Sequence, residues 1–170
     1  LRIFADVTCT FPGTSFCFGD ASGAVPCPCS NAGFQGHGCG NSVIPKGGAL
    51  MSRGETSPDT VTLATIKTLS SVVYLQGSGA IAAVHFGDGV RCIGGTLLRL
   101  GVKVSQGTFT KYPAVGDPSI TQRSAALGDP IAPGESRWYA MYYRDPVVLG
   151  GCLSSSTFNV TQTGRVTWWP

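Results

Sequence analysis

Seven cysteines, Cys9, Cys17, Cys27, Cys29, Cys39, Cys92 and Cys152, are the residues of this chain best equipped for chemistry. Thiolates hold zinc, attack carbonyls or pair as disulfides, and their surroundings decide which. Four of the seven fall between positions 17 and 39, in a segment with glycine at 19, 23, 33, 36 and 38. Cys27, Cys29, His37 and Cys39 offer zinc-type ligands, but Cys-x-Cys is not the usual zinc spacing and an exported thiol cluster oxidises. The pattern predicts a disulfide framework of Cys17, Cys27, Cys29, Cys39, Cys92 and Cys152, with no metal. A bridge between Cys27 and Cys29, separated only by Pro28, has poor geometry, so each is expected to reach a different partner. Seven is odd, and Cys9 stands apart as the leftover: a buried unreactive thiol, or a bridge between chains.

Other site chemistries fare worse. Calcium wants six to eight oxygens, and the candidates Asp20, Asp88 and Asp117 are scattered beside glycine or proline, where aspartate forms turns. Paired-carboxylate hydrolysis needs two acids in one cleft, yet Glu55 and Glu135 are the only glutamates. His37 and His85 have no nucleophile elbow beside them. We expect no enzyme activity and no cofactor. Trp138, Tyr139, Tyr142, Tyr143, Trp168 and Trp169 could form a sugar platform. However, Trp138 and Tyr142 share one strand face and Tyr139 and Tyr143 the other, so at least one face should be core. Asn159-Val160-Thr161 is a glycosylation acceptor pattern, one that often stays bare in a bacterial product.

The elements that must position these residues are strands. The chain has 170 residues, enough for one domain. Charged residues make up 12 %, about half the usual ~25 %. There are 24 Gly and 11 Pro, so helical bundles, coiled coils and βαβ enzymes are excluded. A hydrophobic fraction of 42 % with a net charge of +3 excludes both disorder and a nucleic-acid surface. No apolar run reaches the ~18 residues of a membrane span. The start at Leu1, without a basic and apolar leader, reads as a mature product after signal-peptide removal, so an extracellular or cell-surface location is expected.

Residues 1–11 alternate, with Ile3, Ala5, Val7, Cys9 and Phe11 on one face, which predicts a half-buried strand. Pro12-Gly13-Thr14-Ser15 breaks the pattern and reads as a linker. We divide the chain into a 1–15 strand and linker and a 16–170 domain. Residues 16–48 read as a Gly-rich loop layer pinned by bridges. Beyond them come short strands: 59–66; 71–76, ended by Gly77-Ser78-Gly79; 80–84, ended by Gly87-Asp88-Gly89; 95–104, through Leu98, Leu100, Val102 and Val104; 137–144; and a last pair, 157–161 and 165–169, joined through Gln162-Thr163-Gly164. Residues 119–125 are more polar, and no helical periodicity is evident. The expected fold is all-β: an antiparallel β-sandwich with a disulfide-pinned Gly-rich loop layer and an N-terminal extension strand.

The stretches Phe16-Cys-Phe-Gly-Asp-Ala-Ser-Gly23, Cys27-Pro-Cys-Ser-Asn-Ala-Gly33, Gly38-Cys-Gly-Asn-Ser42 and Phe86-Gly-Asp-Gly-Val-Arg-Cys-Ile-Gly-Gly95 resemble a family of uncharacterised bacterial secreted β domains with patterned cysteines. Arg99-Leu-Gly101, Tyr112-Pro-Ala-Val-Gly-Asp-Pro-Ser119 and Phe158-Asn-Val-Thr161 extend the likeness over roughly Phe16 to Trp168. Ala21 stands where glycine is usual. The resemblance implies an extracellular β domain with six patterned cysteines, leaves Cys9 outside, and brings no activity.

An alternating strand ahead of a linker needs a groove. Donated to a neighbouring copy, it completes a foreign sheet, and a head-to-tail contact of that kind propagates. The expected function is therefore a structural subunit of a fimbria-like extracellular filament or surface assembly. It would polymerise as a homopolymer by donation of the Ile3, Ala5, Val7, Cys9 and Phe11 strand. The rival reading is a secreted monomeric binding module whose partner is a glycan.

Overall fold

The computed structural model describes residues 12–150, 152 and 155–170. The donor positions Ile3, Ala5, Val7, Cys9 and Phe11 lie outside the described residues.

A strand whose two faces are both apolar must be covered on both sides. Two such strands organise this molecule: β4, Ser71–Phe86, and β7, Ser136–Arg144. They pair antiparallel, Val72 opposite Tyr143 through Gly77 opposite Trp138. Four shorter or flanking strands complete the sheet: β1 (Gly13–Phe16), β5 (Gly89–Val104), β8 (Phe158–Val160) and β9 (Thr163–Thr167). The order is β1-β9-β7-β4-β5, with β8 also on β7. A second antiparallel sheet holds β2 (Ala49–Arg53), β3 (Thr62–Ile66) and β6 (Phe109–Tyr112) in the order β2-β3-β6. The fold is an all-β sandwich-like arrangement of antiparallel sheets with one short helix, α1 (Ile120–Ala126).

The main core lies between the sheets. Val72, Tyr74, Tyr139, Met141 and Tyr143 of the large sheet meet Leu50, Leu63 and Tyr112 of the small one, with Ile120 of α1 and Trp168 closing the ends. Thus Tyr139, Tyr143 and Trp168 are structural. The Tyr139 hydroxyl donates to Gln76 Oε1 at 3.2 Å and accepts from Trp168 Nε1 at 3.2 Å. The opposite face of the large sheet carries a smaller core of Val73, Leu75, Ala140 and Val160, onto which Ile93 and Phe86 fold from the far half of the β4–β5 hairpin.

That hairpin departs from the sequence reading. Gly77-Ser78-Gly79 does not reverse the chain. β4 continues through it as strand, and the glycines instead mark an irregularity where the β4–β5 register slips between Gly77 and Gly79, with a further slip between Ala80 and Val84. Glycine within a strand often marks a bulge rather than a turn. The reversal comes at Gly87-Asp88-Gly89, which presses on β8. A Cβ on Gly87, at φ +62, would sit 2.4 Å from the Phe158 carbonyl oxygen.

Three further expectations are corrected. Gly13, Thr14 and Ser15, read as linker, form with Phe16 the strand β1, antiparallel to β9 with Gly13 opposite Val166. The final strands are not a hairpin pair: β8 and β9 both lie on the same side of β7. The polar stretch 119–125, read as without helical periodicity, supplies the cap and most of the helix α1, Ile120–Ala126. Ser119 accepts from Gln122 N while the Gln122 side chain accepts from Ser119 N, a capping box.

Candidate functional site

The loop layer between β1 and β2 forms no strand or helix; backbone hydrogen bonds such as Gly19 N to the His37 carbonyl and Phe34 N to the Lys46 carbonyl hold it locally, and covalent and side-chain ties fasten it to the sheets. All six patterned cysteines pair: Cys17 with Cys92, Cys27 with Cys39, and Cys29 with Cys152. Cys27 and Cys29 do reach different partners, and the thiolates a zinc site would need are spent on each other. Asn31 Nδ2 donates to the Gly40 carbonyl at 2.6 Å and the Asp88 carbonyl at 2.9 Å. Asn41 Nδ2 donates to the Lys67 carbonyl and to the Tyr143 hydroxyl. Asp145, fully buried, accepts from the backbone and hydroxyl of Ser42. Asn159 has 0 % exposure, and its amide donates to the Gly40 carbonyl at 2.8 Å. The glycosylation pattern at Asn159 is thus a buried structural tie.

The remaining site candidates resolve into local roles. Asp20 accepts from Ser22 N and Gly36 N, a turn arrangement whose hydrogen bonds, the Ser22 hydroxyl foremost, hold its carboxyl below the usual range. Asp117 pairs with Lys103 at 2.6 Å and caps Ala114 N. His37 Nδ1 lies 3.1 Å from the Lys46 and Gly47 carbonyls, and His85 Nε2 lies 3.1 Å from the Pro26 carbonyl.

Asp88 differs. It has 0 % exposure, one carboxylate oxygen lies 3.5 Å from Cys29 Sγ, and the other has no hydrogen-bond partner. Burial, and secondarily the charge of Asp145, push its carboxyl up from 3.8 to about 6. A carboxyl raised in the folded state binds its proton more tightly there than in the unfolded chain. Stability from this group is therefore complete below pH ~4 and falls as pH climbs to ~6, by about 3 kcal/mol. We expect Asp88→Asn to erase that contribution. Guanidinium denaturation at pH 4 and pH 7.5 checks it: the difference between variant and parent should grow in the variant's favour by about 2–3 kcal/mol at the higher pH.

The assembly candidate turns on the sheet edges. β1 and β5 stand at opposite ends of the strand order. In the chain, β1 follows directly on Pro12, so the strand at one edge is the one next in sequence to residues 1–11. At the other edge, among the described residues, β5 has no strand on its outer side.

No family model, curated protein or solved structure matches this chain.

The chemistry of the β5 edge then has to be read from its own residues. Pairing sets Leu97 opposite Gly77, Arg99 opposite Leu75, Val102 opposite Val73 and Val104 opposite Ser71. These four β5 residues therefore share the face that carries Val73 and Leu75. Three of them are open: Leu97 at 41 %, Val102 at 57 % and Val104 at 71 % exposure. The alternation Leu98, Leu100, Val102, Val104 suggested a single face. The register slips between Tyr74 and Leu75, so Leu100 turns into the main core while Val102 turns to the opposite face. A bulge has no reliable signature in apolar alternation, which is why this exposed row was missed. Among the described residues, no helix is long and apolar enough to cross a membrane.

Proposed function

We propose that the chain is a structural subunit of an extracellular filament or surface assembly, in which residues 1–11 of one copy add as a strand to β5 of the next. The observation that supports this most is the opposition of edges. Residues 1–11 precede β1 in the chain, and the edge that has no strand on its outer side among the described residues, with exposed Leu97, Val102 and Val104 and a hydrogen bond from Arg123 Nε to the Leu100 carbonyl, is β5. A donor at one end and an acceptor at the other make a heterologous contact, which extends into a fibre where the rotation does not close a ring. Strand addition takes its affinity from main-chain hydrogen bonds and its register from alternate side chains. Ile3, Ala5, Val7, Cys9 and Phe11 alternate with a period of two, and the exposed β5 row keeps that period on either side of its slip at Leu100. Exposed edge strands usually carry lysine, proline or a covering loop against such pairing. Between Leu97 and Val104, β5 carries Arg99 on its open face, while its lysine, Lys103, is on the other face and paired with Asp117. Three disulfides are compatible with the oxidising location this role requires.

Val102→Lys tests the acceptor. Val102 is more than half exposed, so the substitution should leave the unfolding midpoint within about 0.5 kcal/mol of the parent. Sedimentation velocity should find large species for the parent and monomer for the variant. Equal assembly by both would place the contact elsewhere.

A further inference from the structure

Beside the proposed joint's apolar row, three aromatic rings gather near the tip of the β4–β5 hairpin. Phe86 at the end of β4, Tyr142 on β7 and Phe158 on β8 lie with ring centroids 5.0–6.1 Å apart, all in edge-to-face arrangements. With Arg99 and Arg144 they line a shallow cavity of about 340 Å³, within the ~300–1,000 Å³ range of small-molecule sites. A third guanidinium, that of Arg91, stands 5.0 Å from the Phe86 ring centroid, and its buried Nε has no hydrogen-bond partner. Salt bridges among the described residues engage only Lys103 and Arg137 on the cationic side. Arg99 and Arg144 therefore line this cavity, and Arg91 stands against its Phe86 ring, with no carboxylate in a salt bridge to any of the three among the described residues. The chain holds only 12 Lys and Arg together, so three unpaired guanidiniums around one aromatic floor is a concentrated positive site.

We infer that this pocket binds a uronic-acid residue of an acidic polysaccharide. The apolar C–H face of a pyranose rests on aromatic rings, while a guanidinium fork accepts a carboxylate through two parallel charge-assisted hydrogen bonds. A neutral sugar would leave the three charges unanswered. A bare inorganic anion would leave the rings unused. Of the aromatic residues singled out from the sequence as a sugar platform, only Tyr142 lines this pocket. Phe86 and Phe158 were not foreseen, because the folded-back hairpin brings them together. The pocket shares Arg99 with the open face of β5, so Arg144 is the pocket arginine that lies outside the proposed acceptor row.

Calorimetric titration of the full chain with tri-galacturonic acid, its methyl-esterified neutral counterpart and inorganic phosphate is the test. The acid trimer should bind, with the ester and phosphate each at least 10-fold weaker. Arg144→Gln and Arg99→Gln, both at exposed side chains, should each weaken the acid trimer about 10-fold while leaving phosphate unaffected. Equal binding of acid and ester would make the pocket a neutral platform and overturn the inference. Equal binding of phosphate would reduce it to a general anion site, and undetectable binding of the acid trimer would remove it.

Discussion

A chain beginning at Pro12 should sediment as a monomer under conditions where the full chain forms polymers. Burying Ile3, Val7 and Phe11 in a neighbour is worth about 1.5–3 kcal/mol each, and each main-chain hydrogen bond along the added strand contributes about 1 kcal/mol net. Association costs of ~4–15 kcal/mol oppose them. The joint has no reserve that would survive loss of the donor, so the expected effect is complete disassembly rather than a weakened polymer. Stability should respond differently. β1 keeps its pairing with β9 from Gly13 to Phe16 without residues 1–11, and the main core draws on residues from Leu50 to Trp168. The guanidinium midpoint of the truncated chain should therefore stay close to that of a monomeric Val102→Lys chain. Polymers formed by the truncated chain would refute donation.

The second large effect concerns the loop layer. Replacing both Cys29 and Cys152 by alanine should cost about 3–5 kcal/mol, against roughly 3 kcal/mol for replacing Cys27 and Cys39. The two bridges span 123 and 12 residues of sequence. In the chain-entropy account, the longer loop restricts the unfolded ensemble more. Local packing points the same way. Cys29 sits beside the buried Asp88, and Asp88 N donates to the Phe158 carbonyl, so this bridge fastens the loop layer, the hairpin tip and β8 at one point. Alanine rather than serine is the right replacement, because a hydroxyl there could donate to Asp88. Unfolding curves of the two double variants under identical non-reducing conditions decide the ranking. A smaller loss for the Cys29–Cys152 pair would show that native contacts, not loop closure, dominate.

How legible all this was in the sequence depends on which force set each feature. The all-β class followed from a chain poor in charge and rich in glycine, and the cysteine pattern announced a framework. Neither could give connectivity, since six cysteines allow fifteen pairings. Alternation located β7 and set Tyr139 and Tyr143 on one face against Trp138 and Tyr142 on the other, but the packing of the small sheet decided which face entered the main core. Alternation failed where the backbone departs from regular pairing. Gly77–Gly79 passes as a turn until its strand partners are known, and the slip at Leu100 moves Val102 to the other face. The capping box of Ser119 and Gln122 was readable, yet a seven-residue helix is too short to show periodicity. As for the candidate sites, the donor row is a pure sequence pattern. The acceptor row and the arginine-lined aromatic pocket exist only through long-range pairing.

The central claim is that the donor and acceptor are separate surfaces of the same chain, used between copies. The Val102→Lys chain keeps its donor and loses its acceptor, while the chain beginning at Pro12 keeps its acceptor and loses its donor. Native mass spectrometry of each alone and of an equimolar mixture measures this directly. Each alone should be monomeric, and the mixture should give one-to-one pairs that grow no further. A mixture that stays monomeric, or a Val102→Lys chain that polymerises by itself, would contradict strand donation to β5.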